Sequence, residues 1–160
     1  MKLTLIAAIS ENKVIGLKNK VPWHIPEDMK RFRELTINHP VIMGRKTYDS
    51  LLDKFRPLPD RKNIVLSTSL EPQEKIYIAR NMEEALKLTK GKDSSVIGGE
   101  RVYQLFLPLI DQLEITRVYR DFEGDAFFPE INWDEWELSK REEGVSKKQI
   151  HYSFLTYLRK

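Results

Sequence analysis

Apolar residues along this chain follow two rhythms. Short, nearly continuous runs such as Leu3-Thr4-Leu5-Ile6-Ala7-Ala8-Ile9, Val41-Ile42-Met43-Gly44, Asn63-Ile64-Val65-Leu66 and Ser94-Ser95-Val96-Ile97 read as strands covered on both faces, as parallel sheets require. Lys75-Ile76-Tyr77-Ile78-Ala79 adds another, closed by Arg80. Between them lie helical stretches: Pro26 to Leu35, Arg45 to Leu52, Met82 to Leu88 with Asn81 as its cap, and a helix opening after Gly98-Gly99. The C-terminal third changes rhythm. Leu113 to Tyr119 alternates, Gly124-Asp125 marks a turn, and Glu137 to Lys140 and His151 to Leu158 read as antiparallel strands joined by hairpin loops. The pattern predicts a single-domain α/β protein over residues 1–160. Its mostly parallel, twisted central sheet has about eight strands, an antiparallel C-terminal edge and about four flanking helices.

One stretch breaks the pattern. Pro26 opens a helix in which Glu27 and Asp28 complement the positive end of the dipole. Asp28 then falls in line with Phe32 and Leu35, bordered by Met29 and Thr36, while Lys30, Arg31 and Glu34 point elsewhere. A carboxylate on an apolar stripe is either a first-turn cap or a lone acid at the mouth of a pocket walled by Trp23, Phe32 and Leu35. In the second case it would recognise a flat, nitrogen-rich ligand through paired N–H donors.

Parallel sheets bind ligands beyond the carboxyl ends of their strands, and four junctions here face that edge: Ala7-Ala8, Gly44-Arg45, Ser67-Thr68 and Gly98-Gly99. Small residues admit a close approach, the helix start with Arg45, Lys46 and Thr47 suits a phosphate, and paired glycines expose backbone amides. The Gly-x-Gly-x-x-Gly dinucleotide fingerprint is missing. The loop from Asn12 to Val21, with Gly16 and Asn19 as its turn residues, is placed to move over a site. The loop from Lys54 to Arg61 presents two arginines beside Phe55 and Leu58, either as a solvated turn or as an anion contact.

Composition narrows the chemistry. There is no cysteine, so no disulfide or thiolate metal site, and the three histidines share no ligand spacing. Twenty-seven basic against 24 acidic residues leave a net charge of +3 without the dense basic block of a nucleic-acid-binding protein. No stretch has the form of a leader or membrane span, which predicts a cytoplasmic protein with no membrane or nucleic-acid partner, and no apolar surface calls for a second subunit, which predicts a monomer. With no protein nucleophile or metal in evidence, the chemistry would have to come from a bound cofactor, and a phosphorylated hydride carrier fits the parts.

The motifs now form a recognisable series: Leu5-Ile6-Ala7-Ala8, Val14-Ile15-Gly16, Pro22-Trp23 with Pro26 and Asp28, Val41 to Thr47, Arg56-Pro57-Leu58-Pro59-Asp60-Arg61-Lys62-Asn63-Ile64, Val96-Ile97-Gly98-Gly99 with Val102-Tyr103, and Glu123-Gly124-Asp125 with Phe128-Pro129. In order and spacing this series resembles the bacterial dihydrofolate reductases over essentially the whole chain. The resemblance implies NADPH-dependent reduction of 7,8-dihydrofolate to tetrahydrofolate, in support of one-carbon metabolism, and binding of antifolates such as trimethoprim and methotrexate. It implies that Asp28 holds the pterin edge with support from Thr116, that Trp23 belongs to the catalytic set, and that the pterin lies against Ile6, Phe32 and Leu51. Arg61, assisted by Arg56, takes the glutamate tail. For the cofactor it implies Ala8 and Ile15 at the carboxamide and Tyr103 at the nicotinamide ring, with Gly16, Leu17, Lys18, Asn19 and Lys20 on the covering loop. Gly44, Arg45, Lys46, Thr47, Ser67, Thr68 and Arg80 then hold the adenosine and its 2′-phosphate. Ile97, Gly98, Gly99, Glu100, Arg101, Val102 and Gln104 line the pyrophosphate, with a cis peptide at Gly98-Gly99. In this sequence Val21, Lys18-Asn19-Lys20 and Glu100 depart from the family's usual residues. A pyrimidine reductase of riboflavin synthesis on the same architecture is a rival, but would need neither Asp28 in its aromatic frame nor Arg61. A basic nucleic-acid-binding module is the alternative from another class.

Overall fold

A computed structural model describes residues 1–160. The apolar runs form β1 (Leu3–Ser10), β3 (Val41–Gly44), β4 (Asn63–Leu66), β5 (Tyr77–Ala79) and β6 (Ser94–Val96), with the short β2 (Val14–Gly16) between β1 and β3. The alternating C-terminal segments form β7 (Gln112–Val118), β9 (Trp136–Val145) and β10 (His151–Arg159), with the two-residue β8 (Ala126–Phe127) between β7 and β9. Four helices connect them: α1 (Pro26–Thr36), α2 (Arg45–Ser50), α3 (Met82–Leu88) and α4 (Glu100–Phe106). The main sheet has eight strands in the order β5-β4-β3-β6-β1-β7-β10-β9. Pairing is parallel from β5 through β7 and antiparallel for β7-β10 and β10-β9, as the change of rhythm in the sequence predicts.

The core follows from this order. Leu5, Ile42, Ile64, Val96 and Leu113 are fully buried on the central strands and pack with Phe106 of α4 and Ala85 of α3. A second cluster gathers Val41, Met43, Tyr48 and Val65, with Phe32 of α1 against it. Burying a side chain of this size contributes about 1.5 to 3 kcal/mol, which makes these central strands the stable frame on which the strand ends are displayed. As predicted, the Asn81 side chain caps α3 by accepting from the Glu84 amide at 2.9 Å.

Three local expectations are corrected. Gly16 is not a turn residue but the end of β2. The turn belongs to Lys18 and Asn19, both left-handed (φ 49° and 63°), in a two-residue hairpin closed by the Leu17 and Lys20 backbones at 2.7 and 3.0 Å. Asn tolerates that conformation, and the twist of a two-residue hairpin demands it. Helix α2 stops at Ser50, so Leu51 and Leu52 lie beyond it. On α1, Met29 is 55% exposed rather than bordering the apolar stripe, and Arg31 points inward. Burial of Arg31 needs a fixed counter-charge, and its partner lies 83 residues away in the chain.

The 17–20 hairpin is pinned rather than free. The Lys18 amide donates to Asp125 Oδ2 at 3.1 Å, and the Asp125 amide donates back to the Gly16 carbonyl at 3.0 Å. Gly124 makes this possible, since a Cβ there would lie 2.2 Å from Val14 Cγ1 and 2.8 Å from the Gly16 carbonyl oxygen. Gly124→Ala should therefore lower stability by roughly 1 to 3 kcal/mol, a fall in Tm of about 3 to 10 °C by thermal denaturation.

Candidate active site

The site starts from α1. Ile25 caps the helix with no side-chain hydrogen bond and Pro26 supplies the first turn, so Asp28 is not consumed as a cap. Its Oδ1 instead accepts from Thr116 Oγ1 at 2.5 Å, across 88 residues of chain. The structure thus decides between the two readings that the sequence leaves open. Thr116 is buried on β7 beside Ala8 on β1, and the small Ala8 side chain leaves room next to the pair. Burial of the Asp28 carboxyl raises its pKa above the ordinary value, opposed by the Thr116 hydrogen bond and by the Arg31 charge.

From that acid the site runs along the carboxyl ends of the parallel strands. Tyr103 of α4 is buried and donates its hydroxyl to the Ile6 carbonyl at 2.7 Å, which ties α4 to β1. Burial first, and the Asp28 charge second, push the Tyr103 pKa well above its usual value, so it stays a neutral phenol. Gly98 and Gly99, joined by a cis peptide, follow β6. A Cβ on Gly98, whose φ of 132° disfavours any side chain, would lie 3.3 Å from Thr47 Oγ1 and 3.4 Å from the Tyr103 hydroxyl. The Gly44 amide donates to the Gly98 carbonyl at 2.9 Å, so the β3 and β6 ends are locked together.

Beyond Gly44, charge accumulates. Arg45 donates to Ser69 Oγ at 3.3 Å and Arg80 donates to the Ser67 carbonyl at 3.0 Å, so both guanidinium groups grip the same three-residue loop after β4. Lys46 and Thr68 are exposed beside them. Ser69 is absent from the sequence-based set, although its place in the Ser67-Thr68-Ser69 hydroxyl triplet was the available signal. Glu100 is engaged within the protein, its Oε1 accepting from the Phe127 amide at 2.6 Å, while Arg101 and Gln104 are exposed on α4 and Val102 is buried.

A cavity of about 400 Å³ opens between the Lys18-Asn19-Lys20 turn and the segment from Asp49 to Arg56, including Leu51. The structure therefore brings the hairpin, Leu51 and Arg56 to one mouth. Arg56 donates to the Asp49 carbonyl at 3.1 Å and to Asp53 Oδ1 at 2.7 Å. Arg61 is not brought to this mouth. It lines a separate depression, held by Thr36 Oγ1 at 3.0 Å and the Pro59 carbonyl at 2.8 Å, and it forms no ion pair. Trp23 is buried with its ring centroid 5.0 Å from Phe122, and its Nε1 has no acceptor within the protein. Ile15 is partly buried against the main core, and Phe32 packs on the second cluster. No group of three or more His, Asp or Glu side chains is arranged to hold a metal.

Besides Ser69, the sequence pattern did not reveal Glu114 or the inward turn of Arg31. Glu114 is buried two positions before Thr116 and pairs with Arg31, one turn after Asp28. An acid at an inward position of an alternating strand was the signal that could have found it.

The raised pKa of Asp28 has a stability consequence. An acid that binds its proton more tightly when folded penalises folding once ionised. The penalty is absent below the ordinary value of 3.8 and complete above the raised folded value. Asp28→Asn, which keeps an acceptor for Thr116, should raise Tm by a few degrees at pH 7, and the gain should vanish below about pH 4 in thermal melts across pH.

Comparison with known proteins agrees with this arrangement. The profile of the family described as Dihydrofolate reductase matches residues 2–159. The chain is 46% identical over 162 residues to the dihydrofolate reductase of Neisseria meningitidis serogroup B, covering 99% of both proteins. It is 40% identical over 163 residues to that of Haemophilus influenzae, covering 100% of both. The solved structure of dihydrofolate reductase from Enterococcus faecalis, complexed with NADP(H) and RAB-propyl, superposes with a TM-score of 0.90 at 36% identity, covering 99% of this chain and 96% of that one. A half-buried acid held by a threonine at one end of a parallel sheet edge, with paired arginines at the other, is thus set in a chain that belongs to the dihydrofolate reductase family.

Proposed function

We propose that this protein reduces 7,8-dihydrofolate to 5,6,7,8-tetrahydrofolate with NADPH. The observation that carries the reading is Asp28, desolvated and oriented by Thr116, at one end of a track of glycines and hydroxyls that ends at two arginines. Strand neighbours lie about 4.8 Å apart, so the step from the β4 end to β7 spans roughly 19 Å, the scale of one extended dinucleotide whose nicotinamide end reaches the pterin beside Asp28, where the two rings can meet face to face.

The residues present fit NADPH. Gly98 and Gly99 carry no Cβ to shield their backbone, a Cβ on Gly98 would crowd Thr47 Oγ1 and the Tyr103 hydroxyl, and Arg45, Arg80 and the Ser67–Ser69 hydroxyls form a cationic, donor-rich end for the 2′-phosphate, with Lys46, Thr47 and Thr68 beside it. Ala8, Ile15 and Tyr103 line the nicotinamide end, and the 16–20 hairpin and the 97–104 segment cover the middle. When bound, the cofactor supplies a hydride. The chain does the rest: it positions, excludes water and controls one proton.

Asp28 accepts from the paired N–H donors of the pterin, and an ionised carboxylate is the form that can do so twice. The neutral Tyr103 adds no competing charge. Ile6, Phe32 and Leu51 give the flat ring apolar contact, and the unpartnered Trp23 Nε1–H is a donor for a water that carries the proton to the pterin nitrogen in the field of Asp28. Arg61, uncommitted to any carboxylate and deprived of some hydration by burial, takes the tail carboxylate; Arg56, which lines the other mouth and is paired with Asp53, assists by releasing that partner. Antifolates carrying the same donor edge would compete for Asp28. The reading includes action as a monomer in the cytoplasm.

Loss of NADPH absorbance on adding dihydrofolate, with NADH as the control, tests the assignment, and no NADPH oxidation would overturn it. Asp28→Asn should lower kcat/KM for dihydrofolate by about 100-fold or more, the scale of a lost participant in proton transfer. Arg45→Gln or Arg80→Gln should narrow the preference for NADPH over NADH by roughly 10- to 100-fold, as loss of a charged hydrogen bond predicts, with kcat at saturating cofactor little changed.

A further inference from the structure

Asp28 and Thr116 are one rung of a two-rung arrangement between α1 and β7. Three residues along α1 from Asp28 lies Arg31, and two residues before Thr116 on β7 lies Glu114, so both pairs share one face of each element. Arg31 Nη2 donates to Glu114 Oε2. Glu114 is 4% exposed, and its carboxylate is fully engaged: Gln112 Nε2 donates to Oε1 at 2.5 Å, and Thr156 Oγ1 to Oε2 at 2.9 Å. The neighbouring strand repeats the register, since Phe154 pairs with Thr116 and Thr156 with Glu114 across β10 and β7. The Arg31 guanidinium also lies 4.7 Å from the centroid of the Phe154 ring, so it is held from two sides.

None of these side chains has a place in the reaction described above, yet a desolvated ion pair next to a catalytic acid is not electrostatically neutral toward it. Arg31 favours the ionised form of Asp28, and Glu114, bonded to Arg31, carries the opposite charge. We propose that Arg31 and Glu114 are positioning residues that act on Asp28 through their charges, Glu114 holding and partly neutralising the buried Arg31 cation that faces the acid from the same side of α1. The inference rests on the role assigned to Asp28 in dihydrofolate reduction.

The other groups facing Asp28 are few. Glu27 lies on the same helix and accepts from Tyr152 Oη of β10 at 3.2 Å; burial raises the pKa of Tyr103 of α4, with the Asp28 charge second, and burial and then Glu27 raise that of Tyr152, with a smaller part from Asp28. Arg31 is the cation that opposes the effect of burial on Asp28, after the Thr116 hydrogen bond. Glu114 therefore determines how much of the Arg31 charge Asp28 experiences.

The test is a carbon-13 titration of the Asp28 carboxyl in the full-length protein. Glu114→Gln frees the Arg31 charge and should lower the Asp28 pKa by about one unit; Arg31→Gln leaves Glu114 uncompensated and should raise it by a similar amount. The double variant, Arg31→Gln with Glu114→Gln, should return close to the parent value, and Arg31→Lys should restore most of it. Shifts of the same sign in the two single variants, or none beyond about 0.2 unit, would make the pair a structural contact only and overturn the proposal. If Arg31→Gln does not fold, Glu114→Gln, Arg31→Lys and the charge-free double variant still decide, since Glu114→Gln must lower the value. In the reaction, Arg31→Gln should raise KM for dihydrofolate more than it lowers kcat. The titration needs no turnover, so an opposite-sign coupling in a protein that fails to oxidise NADPH would refute the assigned reaction while leaving the coupling intact.

Discussion

Holding a carboxylate away from water requires the fold to supply what water no longer does, and this fold supplies one strong donor. Thr116 Oγ1 stands 2.5 Å from Asp28 Oδ1, and its strand is hydrogen-bonded on both sides, to β1 and to β10. A donor on a central strand cannot follow the acid if the acid moves, so the geometry of the pair is set by the sheet rather than by side-chain preference. The rest of the site answers the same demand. Tyr103 is tethered to the Ile6 carbonyl on β1, and Pro26 opens α1 without using the Asp28 side chain.

The second demand is distance. Parallel strands that all end on one side lay out their last residues like marks on a ruler, and the strand order places the Ser67, Gly44, Gly98, Ala8 and Thr116 positions in that sequence across the edge. Cationic groups gather at the β4 and β5 end, the acid stands at β7, and between them lie residues too small to obstruct. Opposite charges are thus kept apart along the ruler. The 17–20 hairpin lines the cavity without belonging to the main sheet, and its attachment to Asp125 ties it to the segment that leads into β8, the partner of β2.

Polar burial is concentrated in the same region. Glu114, Thr116 and Ser153 are all under 5% exposed on β7 and β10, close to the seam where parallel pairing gives way to antiparallel. A seam of hydrogen-bonded side chains costs stability relative to an apolar one, but every atom of the Glu114 carboxylate finds a donor, which keeps that cost small and specifies a single arrangement. Function and fold specificity thus draw on the same few side chains.

The division between what was legible in the residues and what was not follows from the range of the forces. Strand and helix positions depend on neighbours a few residues away, so the apolar runs, the Asn81 cap and the small residues at the strand ends could be read directly, and the change of rhythm after Leu113 located the antiparallel edge. The special status of Asp28 was also visible, because an acid on an apolar stripe is a local anomaly. Its partner was not, except through family resemblance, since Thr116 lies 88 residues away and only sheet order brings the two together. The same limit explains the errors. Helical periodicity alone placed Arg31 outward, but the buried Glu114, 83 residues distant, turns it in, and pairing of β2 with β8, together with the Lys18–Asp125 contact, leaves Lys18 and Asn19 rather than Gly16 as the turn of their loop. Local sequence determined the parts and which end of the sheet would bind; long-range pairing alone decided which charges meet, because a buried ion is stable only where the fold delivers its counterpart.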